Sequence, residues 1–178
     1  MQRQILYRTE SVGSVKVEAA RSALNAINPD VAVVPLQKRV VDFSELVAQA
    51  DVVLDCTDNF ATRHAINRAC VQHATPLVSG AAIRFDGQLM VFDLRKKDAP
   101  CYACLFPEDV QVEEVQCSTM GVFAPLTGVI GAMQAMEALK LLAGVGEASN
   151  FQIFDAKSAE WRSVRVKKDP GCSVCSKR

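Results

Sequence analysis

Two pairs of cysteines, Cys101-Tyr-Ala-Cys104 and Cys172-Ser-Val-Cys175, carry the plainest chemical signal in the chain. A Cys-x-x-Cys pair can bring two thiolates to one ion, and two such pairs complete a tetrahedral four-sulfur set of the kind that holds structural zinc. The long stretch between the pairs would then tie the end of the chain to the middle of the fold. A redox pair, or plain buried thiols, are the other uses of the same residues. Cys117 stands apart from both pairs in a polar stretch. As a thiolate it could attack an activated carbonyl or exchange sulfur, and as a thiol it would be inert. Cys56 and Cys70 read as packing residues.

The second chemical feature is the turn Asp55-Cys56-Thr57-Asp58-Asn59, which follows an apolar run and precedes a helical pattern. A carboxylate and a helix amino end share a small space there, which suits magnesium beside a phosphate; the same residues equally serve as helix caps. Arg3 and Lys16 are cations able to meet phosphate oxygens, or to stay in solvent. His64 and His73 lack a ligand-like spacing and read as ordinary helix residues.

The surrounding pattern predicts the elements that must hold these groups. Apolar residues at three- and four-residue steps from Val12 to Ile27 predict a helix that Asn28-Pro29 stops. Val31 to Leu36 reads as a β-branched strand, and Asp42 with Glu45 as a capping box opening a helix through Ala50. A buried strand at 52–55, a helix at 60–73 and a strand at 76–79 follow. This alternation predicts an α/β fold with a mostly parallel sheet, which becomes mixed after Gly80. There Ala82–Phe85 and Gln88–Phe92 flank Asp86-Gly87, a two-residue hairpin signal. Residues 105–120 have no useful period and read as a loop. Gly121–Leu142 reads as a buried helix, since Gln134, Glu137 and Lys140 interrupt its apolar run and argue against a membrane span. Residues 151–154 and 161–166 form a terminal strand pair.

Composition narrows the function classes. Twenty Lys plus Arg balance twenty Asp plus Glu, so no overall charge favours nucleic acid or an anionic membrane, and an anionic ligand needs a local site. At 178 residues, 49% hydrophobic and 22% charged, the expectation is a single globular domain. No secretory leader pattern opens the sequence, which places the thiols in a reducing cytoplasm.

Taken in order, Gln2-Arg3-Gln4, Gly13 with Lys16, Val53-Leu54-Asp55-Cys56-Thr57-Asp58-Asn59, Gly87-Gln88, both cysteine pairs, Gly121-Val-Phe-Ala-Pro125 and Gly128-Val-Ile-Gly131 resemble the ThiF/MoeB/HesA family of adenylyltransferases, relatives of ubiquitin-activating enzymes. The resemblance implies a Rossmann-like fold with a zinc-tied C-terminal segment. It also implies ATP-dependent adenylylation of the carboxyl terminus of a ubiquitin-like sulfur-carrier protein, with a separate sulfur donor and a homodimeric enzyme. By resemblance Arg3 and Lys16 contact the ATP phosphates, Asp58 supports Mg2+, Asn59 and Arg63 adjoin the site, and the four paired cysteines hold structural zinc. Gly87-Gln-Leu-Met-Val91, Ser158-Ala-Glu-Trp-Arg-Ser163 and Cys117 suggest the thiamine branch, where Cys117 would form an acyl-disulfide with the carrier. Gly80-Ala-Ala-Ile-Arg84 and Pro170-Gly-Cys-Ser-Val-Cys175 suggest the molybdopterin branch.

The match starts inside the QRQ-type segment. The family's first strand, glycine-rich nucleotide loop, acidic ribose-binding residue and preceding Asn therefore have no counterpart here, and the expectation is an N-terminally truncated activating domain. The competing expectation is a zinc-stabilised carrier-binding or dimerisation fragment without catalysis. A nicotinamide oxidoreductase fits poorly, because its dinucleotide loop is equally missing.

Overall fold

The computed structural model describes residues 4–38, 43–109, 120–146 and 151–178. The chain divides into two compact units, 1–39 and 40–178.

The first unit contains a 3-10 turn, Thr9–Ser11, and helix α1, Lys16–Ile27. The helix starts later than the apolar period suggests, because Ser11 closes a separate turn on Arg8: its Oγ accepts from the Arg8 N–H at 3.1 Å and donates to the Arg8 carbonyl at 2.7 Å. The run 31–36 is not a strand. Among its residues Val31, Val34 and Leu36 are exposed, and a β-branched run with no ladder partner stays irregular. None of residues 4–38 is buried.

The second unit is built on a five-stranded sheet, β1 Val53–Asp55, β2 Leu77–Ile83, β3 Asp86–Phe92, β4 Phe151–Asp155 and β5 Glu160–Val164, in that spatial order. β1 and β2 are parallel and the remaining pairs antiparallel, so the sheet becomes mixed at β2. Helices α2 (Ser44–Gln49), α3 (Phe60–His73), α4 (Tyr102–Leu105) and α5 (Ala124–Ala143) complete it. At the expected capping box, Phe43 occupies the N-cap of α2 with no side-chain cap, and Asp42 lies outside the described residues.

The sheet is covered on both faces, and the two-residue strand period sorts its side chains. Leu77, Met90 and Phe92 join Ile66, Cys70 and Val71 of α3 and the cysteine pairs in one cluster. Val78, Leu89 and Val91 join Ala138 and Leu141 of α5 in the other. Helix α5 is the one described helix long and apolar enough to cross a membrane. Its Leu126, Ile130, Gln134, Glu137, Ala138 and Leu141 are buried, as expected of a core helix.

The hairpin forms two residues earlier than its sequence signal. Ile83 pairs with Asp86, so the turn is Arg84-Phe85, with Arg84 at φ 49°. Gly87 lies inside β3, where an added Cβ would meet Ile130 Cδ1 of α5 at 2.7 Å. It is glycine for helix packing, not for a turn.

Candidate functional site

The carboxyl end of β1 is where the chain gathers its polar machinery. Parallel register sets Asp55 beside Ser79, and α3 supplies the third partner. Its buried residues Arg63, Ile66, Asn67, Cys70 and Val71 follow the helical period against the sheet. Arg63 stands closest to the helix start, so its side chain reaches back over the turn. It donates to Asp55 Oδ2 at 2.9 Å, to Ser79 Oγ at 2.8 Å, to the Gly80 carbonyl at 2.9 Å and to the Thr57 carbonyl. Ser79 Oγ donates to Asp55 Oδ2 at 2.8 Å, while Asp55 Oδ1 accepts from Thr57 N at 2.9 Å and Thr57 Oγ1 at 2.7 Å. Asp55 and Arg63 are both buried. An ion pair this dry is tolerable because both carboxylate oxygens and both terminal guanidinium nitrogens are bonded.

From the opposite face α5 inserts Gln134. Its Nε2 donates to the Asp55 carbonyl at 2.9 Å and the Val78 carbonyl at 3.2 Å, and its Oε1 accepts from the Cys56 thiol at 3.5 Å. Desolvation and the adjacent Asp55 carboxylate push the Cys56 pKa up; the residue is exposed, so unlike the buried Cys70 it is not the packing residue its strand-end context suggests. Gly80 makes room: a Cβ there would lie 2.3 Å from Gln134 Oε1.

Asp58 and Asn59 emerge from this locked base. Asn59 caps α3, its Oδ1 accepting from Thr62 N at 2.8 Å, so the capping alternative holds for this residue. Asp58 is exposed and has no hydrogen-bond or ion-pair partner among the described residues. One free carboxylate at the amino end of a helix, beyond a parallel strand, is an arrangement that can meet a cation carried by a phosphate ligand. Lys16 belongs to the first unit. It begins α1, with Nζ 5.7 Å from the Tyr7 ring centroid, so its ammonium adds to the positive amino end of that helix. Arg3 and Cys117 lie outside the described residues. A surface cavity of about 590 Å³, lined by Arg84, Phe85, Phe123 and Lys157 among others, contains none of the predicted site residues.

The four paired cysteines converge. Their Sγ atoms all lie within 4.8 Å of one another, with Cys101–Cys104 at 4.0 Å, Cys101–Cys172 at 3.8 Å and Cys104–Cys175 at 3.4 Å. Four sulfurs each about 2.3 Å from one tetrahedral ion would be about 3.8 Å apart, so the cluster fits a metal of zinc's size. A hydrogen bond from Cys101 draws the Cys104 thiol down, the same bond and burial push Cys101 up, and burial pushes Cys175 up. Backbone N–H groups of Cys101 and Asp169 each lie 3.5 Å from Cys104 Sγ. Asn67, one turn beyond Arg63 on α3, donates to Cys101 Sγ at 3.6 Å and accepts from Tyr102 N at 2.9 Å. One helix therefore orients both the Asp58 turn and the cysteine cluster.

The model of the ThiF family matches residues 1–174. This chain belongs to the ThiF family. It is 45% identical over 178 residues to the sulfur carrier protein ThiS adenylyltransferase of Escherichia coli (strain K12), covering 98% of this chain and 70% of that protein. It is likewise 45% identical over 182 residues to the molybdopterin-synthase adenylyltransferase of the same strain, covering 98% of this chain and 71% of that one. Among solved structures, E. coli MccB with ATP superposes with a TM-score of 0.78 at 20% identity, over 98% of this chain. The chain spans 55% of the length of MccB, and the likeness establishes the Rossmann-like fold.

Sequence reasoning missed Arg63 as a buried anchor, as well as Ser79, Asn67 and Gln134. The available signal was polar residues at core-facing steps of α3 and α5, since a polar side chain inside an apolar stripe is there to satisfy something.

Proposed function

We propose that this chain belongs to the activating domain of an adenylyltransferase. Its substrate is the C-terminal carboxylate of a ubiquitin-like sulfur-carrier protein, in the thiamine or molybdopterin branch. The carboxylate oxygen attacks the α-phosphorus of ATP, the bond from that phosphorus to the bridging oxygen breaks, and pyrophosphate leaves behind an acyl-adenylate. The observation that carries the reading is the carboxylate of Asp58, without a partner among the described residues and presented by a turn tied on both sides beyond β1. The names of the two E. coli relatives support the substrate class.

In this reading Asp58 would hold Mg2+, Asn59 fixes the helix start beside it, and Arg3 and Lys16 would meet the phosphates. Bound Mg2+ supplies charge neutralisation at the phosphates. Cys101, Cys104, Cys172 and Cys175 hold structural Zn2+ away from the reaction. In the thiamine branch a separate persulfide donor transfers its outer sulfur to the Cys117 thiolate, which becomes a persulfide while the donor leaves as a thiol. The outer sulfur on Cys117 bonds the carrier's carbonyl carbon, AMP leaves, and the products are an acyl-disulfide and a proton. Val129, Met136, Leu139 and Leu142 leave an apolar strip of α5 exposed, which supports a homodimer, and the thiol set suits the cytoplasm.

Exchange of labelled pyrophosphate into ATP, dependent on added carrier, supports adenylylation. Carrier binding without any exchange overturns it.

A further inference from the structure

Arg63 has four N–H donors committed inside the protein, to Asp55, Ser79, Thr57 and Gly80, and its side chain is 7% exposed. Both of its terminal nitrogens are committed within the protein and little of it reaches solvent, although its place in the motif makes it a candidate phosphate ligand. What it does hold is Thr57. That residue is tied at its N–H and hydroxyl by Asp55 and at its carbonyl by Arg63. On the other side of Asp58, Asn59 is tied by its cap to Thr62. The one residue of the turn whose side chain has no partner therefore sits between two residues whose polar groups are bonded.

We infer that Arg63 is a positioning residue for the proposed adenylylation: through the Thr57 carbonyl it fixes the backbone from which Asp58 projects, and it touches no substrate itself. The inference rests on the reading of Asp58 as the carboxylate that faces the phosphates. A guanidinium is required for geometric reasons. Its planar fork bridges the Asp55 carboxylate, the Ser79 hydroxyl and two carbonyls from different segments at once, whereas an ammonium offers a point charge at the end of a flexible stem. Lysine can therefore restore the charge pair with Asp55 without restoring the grip on Thr57 and Gly80. A catalytic group held even an ångström off its productive position loses on the order of a hundredfold in rate.

The test compares the full chain with Arg63→Lys, Arg63→Met and the double variant Asp55→Asn/Arg63→Met, which leaves no stranded charge and so guards against simple unfolding. Amide hydrogen exchange at residues 57–59 and 62–71 reports the turn and the helix, and pyrophosphate exchange with added carrier reports kcat and the KM for ATP. Arg63→Lys is expected to lower the melting temperature, because two buried bonds are lost, while keeping a cooperative fold and the protection of α3. Its turn amides should exchange at least about tenfold faster, and kcat should fall on the order of 10- to 100-fold with KM changed less than about threefold. Thr57 and Asp58 protected as in the parent would overturn the inference. So would a loosened turn with kcat intact, or a loss confined to KM. A parent chain without pyrophosphate exchange overturns the proposed function instead. Turn protection in the three variants then decides by itself whether Arg63 holds the turn.

Discussion

Replacing Gly80 by Ala should cost far more than one methyl group ordinarily would. Gly80 has an ordinary strand conformation, so the backbone accepts alanine. The obstacle is Gln134, whose Oε1, Cδ and Nε2 would lie 2.3, 2.4 and 2.9 Å from the new Cβ. The amide must withdraw, giving up its bonds to the Asp55 and Val78 carbonyls and to the Cys56 thiol. Each lost bond in a buried setting is worth about 1 kcal/mol, more where a carbonyl is left unsatisfied, so Gly80→Ala should destabilise by about 2–4 kcal/mol. Gln134→Ala removes the same bonds and should cost about as much alone. Because the alanine methyl then occupies space that the amide vacated, the double variant should be no worse than either single one, a coupling of about 2 kcal/mol or more. Urea denaturation of the four proteins measures this directly. A single-variant cost below about 0.5 kcal/mol, or strictly additive costs, would refute the account of Gly80 and Gln134 as one locked pair.

Ala74 ends α3 in the left-handed region at φ 54°, where an L side chain is strained. Ala74→Gly should therefore stabilise the protein by about 0.5–1 kcal/mol in the same denaturation experiment. Purified protein should contain one zinc per chain by elemental analysis, and Cys101→Ser combined with Cys172→Ser should abolish it; absent zinc, or zinc retained by the double variant, contradicts the four-sulfur site. Leu139, 66% exposed on α5, should be central to a dimer, so light scattering should show a dimer in the parent and a monomer in Leu139→Glu; a parent that is monomeric at every concentration removes the dimer.

The features most legible in the sequence were those written in short, local codes. The cysteine pairs announce themselves by spacing, and α3 by its period and its Asn59 cap. The terminal strand pair was read from its apolar runs. What failed was decided by partners distant in sequence. Val31–Leu36 has strand composition but no ladder. Asp86-Gly87 carries the strongest local turn signal, yet Gly87 is fixed by Ile130 of α5, and the turn moves to Arg84-Phe85. Gln134 reads only as an interruption of an apolar run until α5 is laid on the sheet. Its function then follows from the carbonyls beneath it. Asp58 is exposed and has no partner among the described residues, but nothing local revealed that the turn beneath it is bonded to Arg63 and Ser79.

The measurement closest to the central claim is pyrophosphate exchange by Asp58→Ala, with carrier present and with zinc content and α3 protection verified in the same preparation. Asp58 bonds to nothing in the described protein, so its removal should leave stability nearly untouched while depriving the reacting phosphates of an oriented charge. The expected result is a loss on the order of a hundredfold or more in exchange rate, matching the few kcal/mol that such a charge contributes to a transition state. Unchanged exchange in a folded, zinc-loaded Asp58→Ala protein would contradict the assignment of this turn as the adenylylation site.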